Sequence, residues 1–83
     1  MIDFVLTDHA VRRLRQRKIA PEWISAALAM PLRIENDGDD PALVHALYRV
    51  PERNFRVLRV IYNETVDPVA IVTAFFDDEV KIS

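Results

Sequence analysis

At Pro31 the hydrophobic period of this chain changes. Ahead of it, apolar side chains recur at helical spacing. Ala10, Val11 and Leu14 fall on one stripe, and Trp23, Ile24, Ala27 and Leu28 on another. Beyond it they alternate, with Leu32 and Ile34 set against Arg33 and Glu35. Three longer runs follow, 42–50, 55–63 and 69–76, rich in β-branched and aromatic residues. A chain that is helical first and extended afterwards does not build alternating βαβ units. It predicts an α+β fold with two N-terminal helices packed on a four-stranded antiparallel sheet, in the order ααββββ. At 83 residues the chain is a single domain, 1–83.

Punctuation supports these elements. Thr7 suits a helix N-cap and Asp8 the first turn, so the first helix is expected over about Asp8 to Lys18. Pro21 fits the first position of the second helix, and Pro31 stops it. Residues 36–41, 51–54 and 63–68 have turn composition. The stretch 2–6 is an apolar lead-in, and the tail 77–83 is frayed or weakly strand-like.

Two of the runs are apolar on both sides. Period two groups Phe55, Val57 and Ile61 against Leu58, Val60 and Tyr62, and Val69, Ile71 and Phe75 against Ala70, Val72 and Phe76. Two short helices cover one face only. The second face therefore points to a partner or a second copy of the chain, unless curvature and the tail cover it.

Composition excludes several classes. With no cysteine there are no disulfides and no thiolate metal sites. The lone glycine, Gly38, rules out a glycine-rich phosphate loop, and there is no G-x-S-x-G elbow. Two distant histidines make no zinc pattern, and NDGDD lacks the spacing of a calcium loop, so it reads as a solvated turn. No cofactor is expected. No apolar run nears the ~18 residues of a membrane span, and the N-terminus lacks a signal-peptide pattern, so a cytoplasmic protein is expected.

The formal net charge of -2 hides a segregation. Residues 1–33 carry +3, residues 34–41 carry -4 and residues 42–83 carry -1. The positive charge is concentrated in TDHAVRRLRQRKI, residues 7–19. On a helical wheel Arg13 lies about 40° and Arg17 about 80° round from His9, each step about 6 Å along the axis. The three form a ladder along one border of the buried stripe. Arg12, Arg15 and Gln16 point away as solvated residues. Two guanidiniums at such a seam suit a phosphate, and a neighbouring imidazole suits proton transfer near neutral pH. Arg59 interrupts an apolar strand, and Tyr62 lies on the opposite side of that strand. The bland reading is a brace, with arginine stems on the core and heads in water, and Arg59 in an ion pair. His45 reads as a strand surface residue.

The pattern Thr7-Asp8-His9-Ala10, then Arg13, Arg17 and Ile19, resembles the S/T-x-H-A-x-x-R-x-x-x-R-x-I opening of a family of small bacterial domains. Leu58-Arg59-Val60-Ile61-Tyr62 and Val72-Thr73-Ala74-Phe75 resemble its strand segments. That family is similar to BrnT and, more distantly, to the RelE/ParE toxin superfamily. The resemblance implies a RelE/BrnT-like α+β fold and metal-independent cleavage of RNA by a toxin that an antitoxin protein holds. It implies His9 as base or acid, Arg13, Arg17 and Arg59 as phosphate ligands, and Tyr62 as a second proton donor or stacking platform. The chain departs from strongly basic toxins in its acidic balance and in Asp77, Asp78 and Glu79 near its end. The alternative function is a non-catalytic homodimeric or partner-binding module.

Overall fold

Helix α1 (Asp8–Arg17) starts where the sequence places its cap. Thr7 is extended, and its hydroxyl accepts from the Ala10 amide at 3.1 Å. The same hydroxyl donates to the Ile71 carbonyl at 3.1 Å, so one residue caps the helix and ties it to the sheet. Lys18, in the left-handed region at φ 55°, ends the helix. Helix α2 (Pro21–Ala29) has Pro21 in its first turn and buries Ile24, Ala27 and Leu28. The computed structural model describes residues 3–80, so parts of the lead-in and of the tail lie outside the described residues.

The sheet corrects the expected count and pairing. Besides β2 (Arg33–Asn36), β3 (Leu43–Val50), β4 (Arg56–Asn63) and β5 (Val69–Phe76), the lead-in forms a strand, β1 (Phe4–Leu6). The order is β1-β5-β4-β3-β2, and β1 runs parallel to β5, with Phe4 against Val69 and Leu6 against Ile71. The class is α+β as expected, but the sheet is five-stranded and mixed. Three residues are too few to display a period of two, and the parallel partner is remote in sequence.

Ala10, Leu14, Ile24, Ala27 and Leu28 pack on one face of the sheet, against Ala46, Val50, Leu58, Val60, Ile71 and Ala74. Two expected groupings fail. Phe55 was grouped with Val57, but it precedes β4, holds φ 60° and is 59% exposed. Its amide closes the turn on the Val50 carbonyl at 2.9 Å. In β5 a bulge intervenes: Ile61 pairs with Thr73, but Tyr62 pairs with Ile71. The extra residue, Val72, flips the parity. Ile71 and Phe76 face the helices, and Phe75 faces away opposite Arg59.

The helix-free face is not an open apolar surface. Leu47 lies there at 0% exposure, between Arg33 and Arg59 in the register. Long arginine stems on either side keep water from it. The tail contributes as well: the Asp77 amide bonds the Val57 carbonyl at 2.9 Å, beside the buried Val57 side chain.

Candidate nucleic-acid interface

The basic ladder of α1 divides into two parts. His9 and Arg13 remain together on the outside of the helix. With Arg12 and Gln16 they line a shallow depression of about 250 Å³. Arg12 and Gln16 thus share a surface with His9, contrary to the wheel reading that sent them elsewhere. Arg13 donates to Gln16 Oε1 at 3.3 Å. Among the described residues, none of Arg12, Arg13, Arg15 and Lys18 makes an ion pair with a carboxylate. His9 makes no hydrogen bond there.

Arg17 has a different task. It donates to the Ala74 carbonyl at 2.8 Å and to Thr73 Oγ1 at 3.1 Å, and its guanidinium lies 5.9 Å from the Phe75 ring centroid. Strand β1 covers β5 only as far as Ile71. Arg17 caps the sheet edge just beyond that point.

Arg59 sits on the helix-free face inside an ion cluster that sequence reasoning did not assemble. Its Nε donates to Asp77 Oδ2 at 2.9 Å, and its Nη1 to Glu35 Oε1 at 2.9 Å and to His45 Nδ1 at 2.8 Å. Because a guanidinium only donates, His45 Nδ1 must accept. Nε2 then carries the proton and donates to Asp37 Oδ1 at 2.7 Å. Asp37 Oδ2 in turn accepts from the Asp39 and Asp40 amides at 3.1 and 3.0 Å. His45 is therefore a half-buried bridge rather than a surface residue. Asp37 anchors a turn that had been read as merely solvated.

The charge states follow the contacts. Burial works against the Arg59 charge, but the hydrogen bonds to Glu35 and Asp77 outweigh it and raise its pKa. The Arg59 hydrogen bond holds Glu35 below the usual carboxylate range, with Arg33 adding to the effect. The bond from His45, then those from the Asp39 and Asp40 amides, lower Asp37. Tyr62 packs against the core on the helix side, and burial, then the Glu64 charge, raises its pKa. The five sequence candidates thus occupy four places: His9 and Arg13 on the outside of α1, Arg17 at the edge of β5, Arg59 in the ion cluster on the helix-free face, and Tyr62 against the core on the helix side.

Glu35, Asp37 and His45 were missed as a group, because their meeting depends on strand register. The β2–β3 pairing sets Glu35 opposite His45. His45, in turn, lies beside Ile61, two residues from Arg59 on the same face. By residue type the three suit a metal, but no metal-holding cluster forms among the described residues.

The family described as Domain of unknown function (DUF4258) matches residues 6–76. The chain belongs to this family. No curated protein and no solved structure matches the chain. The DUF4258 segment runs from the last residue of β1 to the last residue of β5. It contains the whole cationic face of α1, together with Glu35, Asp37, His45 and Arg59, and ends one residue before Asp77. No helix among the described residues is long and apolar enough to cross a membrane.

Proposed function

We propose that the outer face of α1 grips RNA phosphates and that His9 accepts the proton in toxin-like, metal-independent cleavage. The observation that carries this reading is the contrast between two sets of cations. Arg33, Arg56 and Arg59 are each matched to carboxylates. Arg12, Arg13, Arg15 and Lys18 are not, and two of them, Arg12 and Arg13, flank His9, whose imidazole makes no hydrogen bond among the described residues. Of the two histidines, His45 has both ring nitrogens engaged, so His9 is the one free to take a proton. The helix opening resembles that of a family similar to BrnT and, more distantly, to the RelE/ParE toxins, which supports the same reading.

The reaction is transfer within the RNA. The ribose 2′-oxygen attacks the adjacent phosphorus as His9 takes the 2′-hydroxyl proton. The bond from phosphorus to the 5′-oxygen breaks, and that oxygen takes a proton from water. The products are a 2′,3′-cyclic phosphate and a 5′-hydroxyl end. His9 contributes about 10²–10⁴-fold as a base. Arg12 and Arg13 stabilise the charge on the phosphate oxygens. Tyr62 packs against the core beneath the helices, away from the outer face of α1, and takes no part.

The grip is tested by the salt dependence of binding to a labelled single-stranded RNA. Each phosphate neutralised contributes about -0.7 to the slope of log K against log salt. The Arg12→Ala/Arg13→Ala protein should show a slope shallower by about 1.4 if each arginine covers one phosphate. An unchanged slope in a folded double variant would remove α1 as the phosphate site.

A further inference from the structure

The two edges of the sheet are treated differently. At the β1–β5 edge, Thr7 bonds the Ile71 carbonyl and Arg17 caps the Ala74 carbonyl. At the other edge β2 ends the strand order with nothing paired beyond it among the described residues. This bare edge is also apolar. Met30, Leu32 and Ile34 are 71%, 48% and 55% exposed within five positions. Natural sheets usually protect an edge with lysine, proline, a bulge or a covering segment. Strand β2 holds no lysine, proline or covering segment; its protection is limited to its four-residue length and to Arg33 and Glu35, one charge of each sign.

We infer that β2 is the interface between two copies of this chain, paired antiparallel about a two-fold axis at Ile34. Three features select a second copy. The Asp37 amide bonds the Leu43 carbonyl, which continues the β2–β3 register. By the alternation of an antiparallel ladder, Arg33 and Glu35 then bond inward to β3. The amide and carbonyl of Ile34, and the amide of Asn36, point outward. A two-fold axis at Ile34 makes it a reciprocally hydrogen-bonded pair with its own copy and sets the Asn36 amide against the Leu32 carbonyl of the copy. It also sets Arg33, which already pairs with Glu35 of its own chain at 2.8 Å, against Glu35 of the copy, twice over, so that the two pairs join in one alternating network, where a shift of one residue would set Arg33 against Asn36 instead. The charges and the backbone thus select the same register, and the apolar side chains of Ile34 meet at the axis. A four-residue strand makes a small interface, in the transient class below about 1,200 Å². The two α1 faces remain outside this contact, so the dimer is independent of the RNA reading.

Sedimentation and crosslinking test it. The wild-type protein should be largely dimeric at about 100 μM, twice its 9.6 kDa mass, and dissociate on dilution. Ile34→Pro removes an outward amide hydrogen and should give a monomer with an unchanged circular dichroism spectrum. The native chain has no cysteine, so Ile34→Cys reports on the axis. Its Cα atoms would lie about 5.5 Å apart, within disulfide range. Under mild oxidation it should crosslink at least tenfold faster than Phe55→Cys, an exposed control. A wild-type monomer at about 100 μM would overturn the inference, as would equal crosslinking rates of the two cysteine variants.

Discussion

Replacing Arg59 with methionine keeps the stem over Leu47 and deletes the guanidinium. Three acceptors then lose a donor: Asp77, Glu35 and His45 Nδ1. An acceptor left unpaired away from water costs about 1–3 kcal/mol. Here solvent relieves part of that cost, because Asp77 is 20% and Glu35 35% exposed, and Glu35 keeps Arg33. The Asp77 and His45 losses dominate, at about 1 kcal/mol each, with a smaller share from Glu35. The total is about 2–3 kcal/mol, or a fall in Tm of roughly 8–20 °C for a domain of this size. The assay is thermal unfolding followed by circular dichroism, beside Arg56→Met. Arg56 makes a bidentate pair with Asp78, but both are open to water at 45% and 63% exposure. Its loss should move Tm far less. Equal shifts in the two variants would refute the claim that burial and convergence give the Arg59 cluster its weight.

Three further outcomes follow from the same contacts. Thr7→Ala removes the α1 cap and the bond to Ile71. Denaturant titration should show a loss of about 1–2 kcal/mol, with Thr7→Ser close to wild type. Phe55 holds φ 60° with its ring 59% exposed, so Phe55→Gly should raise stability by about 0.5–1 kcal/mol in the same titration. Glu35, Asp37 and Asp78 all have pKa values lowered by their partners. Groups lowered on folding contribute stability that is complete above the ordinary carboxylate range near 4 and is lost as pH falls through their folded values. The Tm should therefore drop as pH falls below about 4, less steeply in Glu35→Gln.

The helices were legible because their signals are local. Thr7, Pro21 and Pro31 each act within a turn or two of themselves, and the apolar stripes repeat within each helix. The sheet was legible only where its period held. At Val72 one inserted residue reversed the faces of β5, and no local pattern marks it. Strand β1 stayed hidden because its partner lies at Val69–Ile71, far along the chain. The site shows the same division. His9 and Arg13 share a helix, so their spacing placed them together. Arg59, Glu35, Asp37, His45 and Asp77 come from β4, β2, a turn, β3 and the tail. Their convergence needs the register of three strands, which composition alone does not supply. Arg17 sits at the ladder spacing but reaches past β1 to Ala74, and only the length of β1 reveals that.

The most direct test of the α1 assignment is an RNA cleavage assay in chelator, with wild-type protein beside His9→Ala. The expected result is cleavage with 2′,3′-cyclic phosphate ends by wild type and a loss of about 10²–10⁴-fold in the variant, whose Tm stays within a few degrees. Undiminished cleavage by a folded His9→Ala protein, or no cleavage by wild type even with translating ribosomes present, would contradict it.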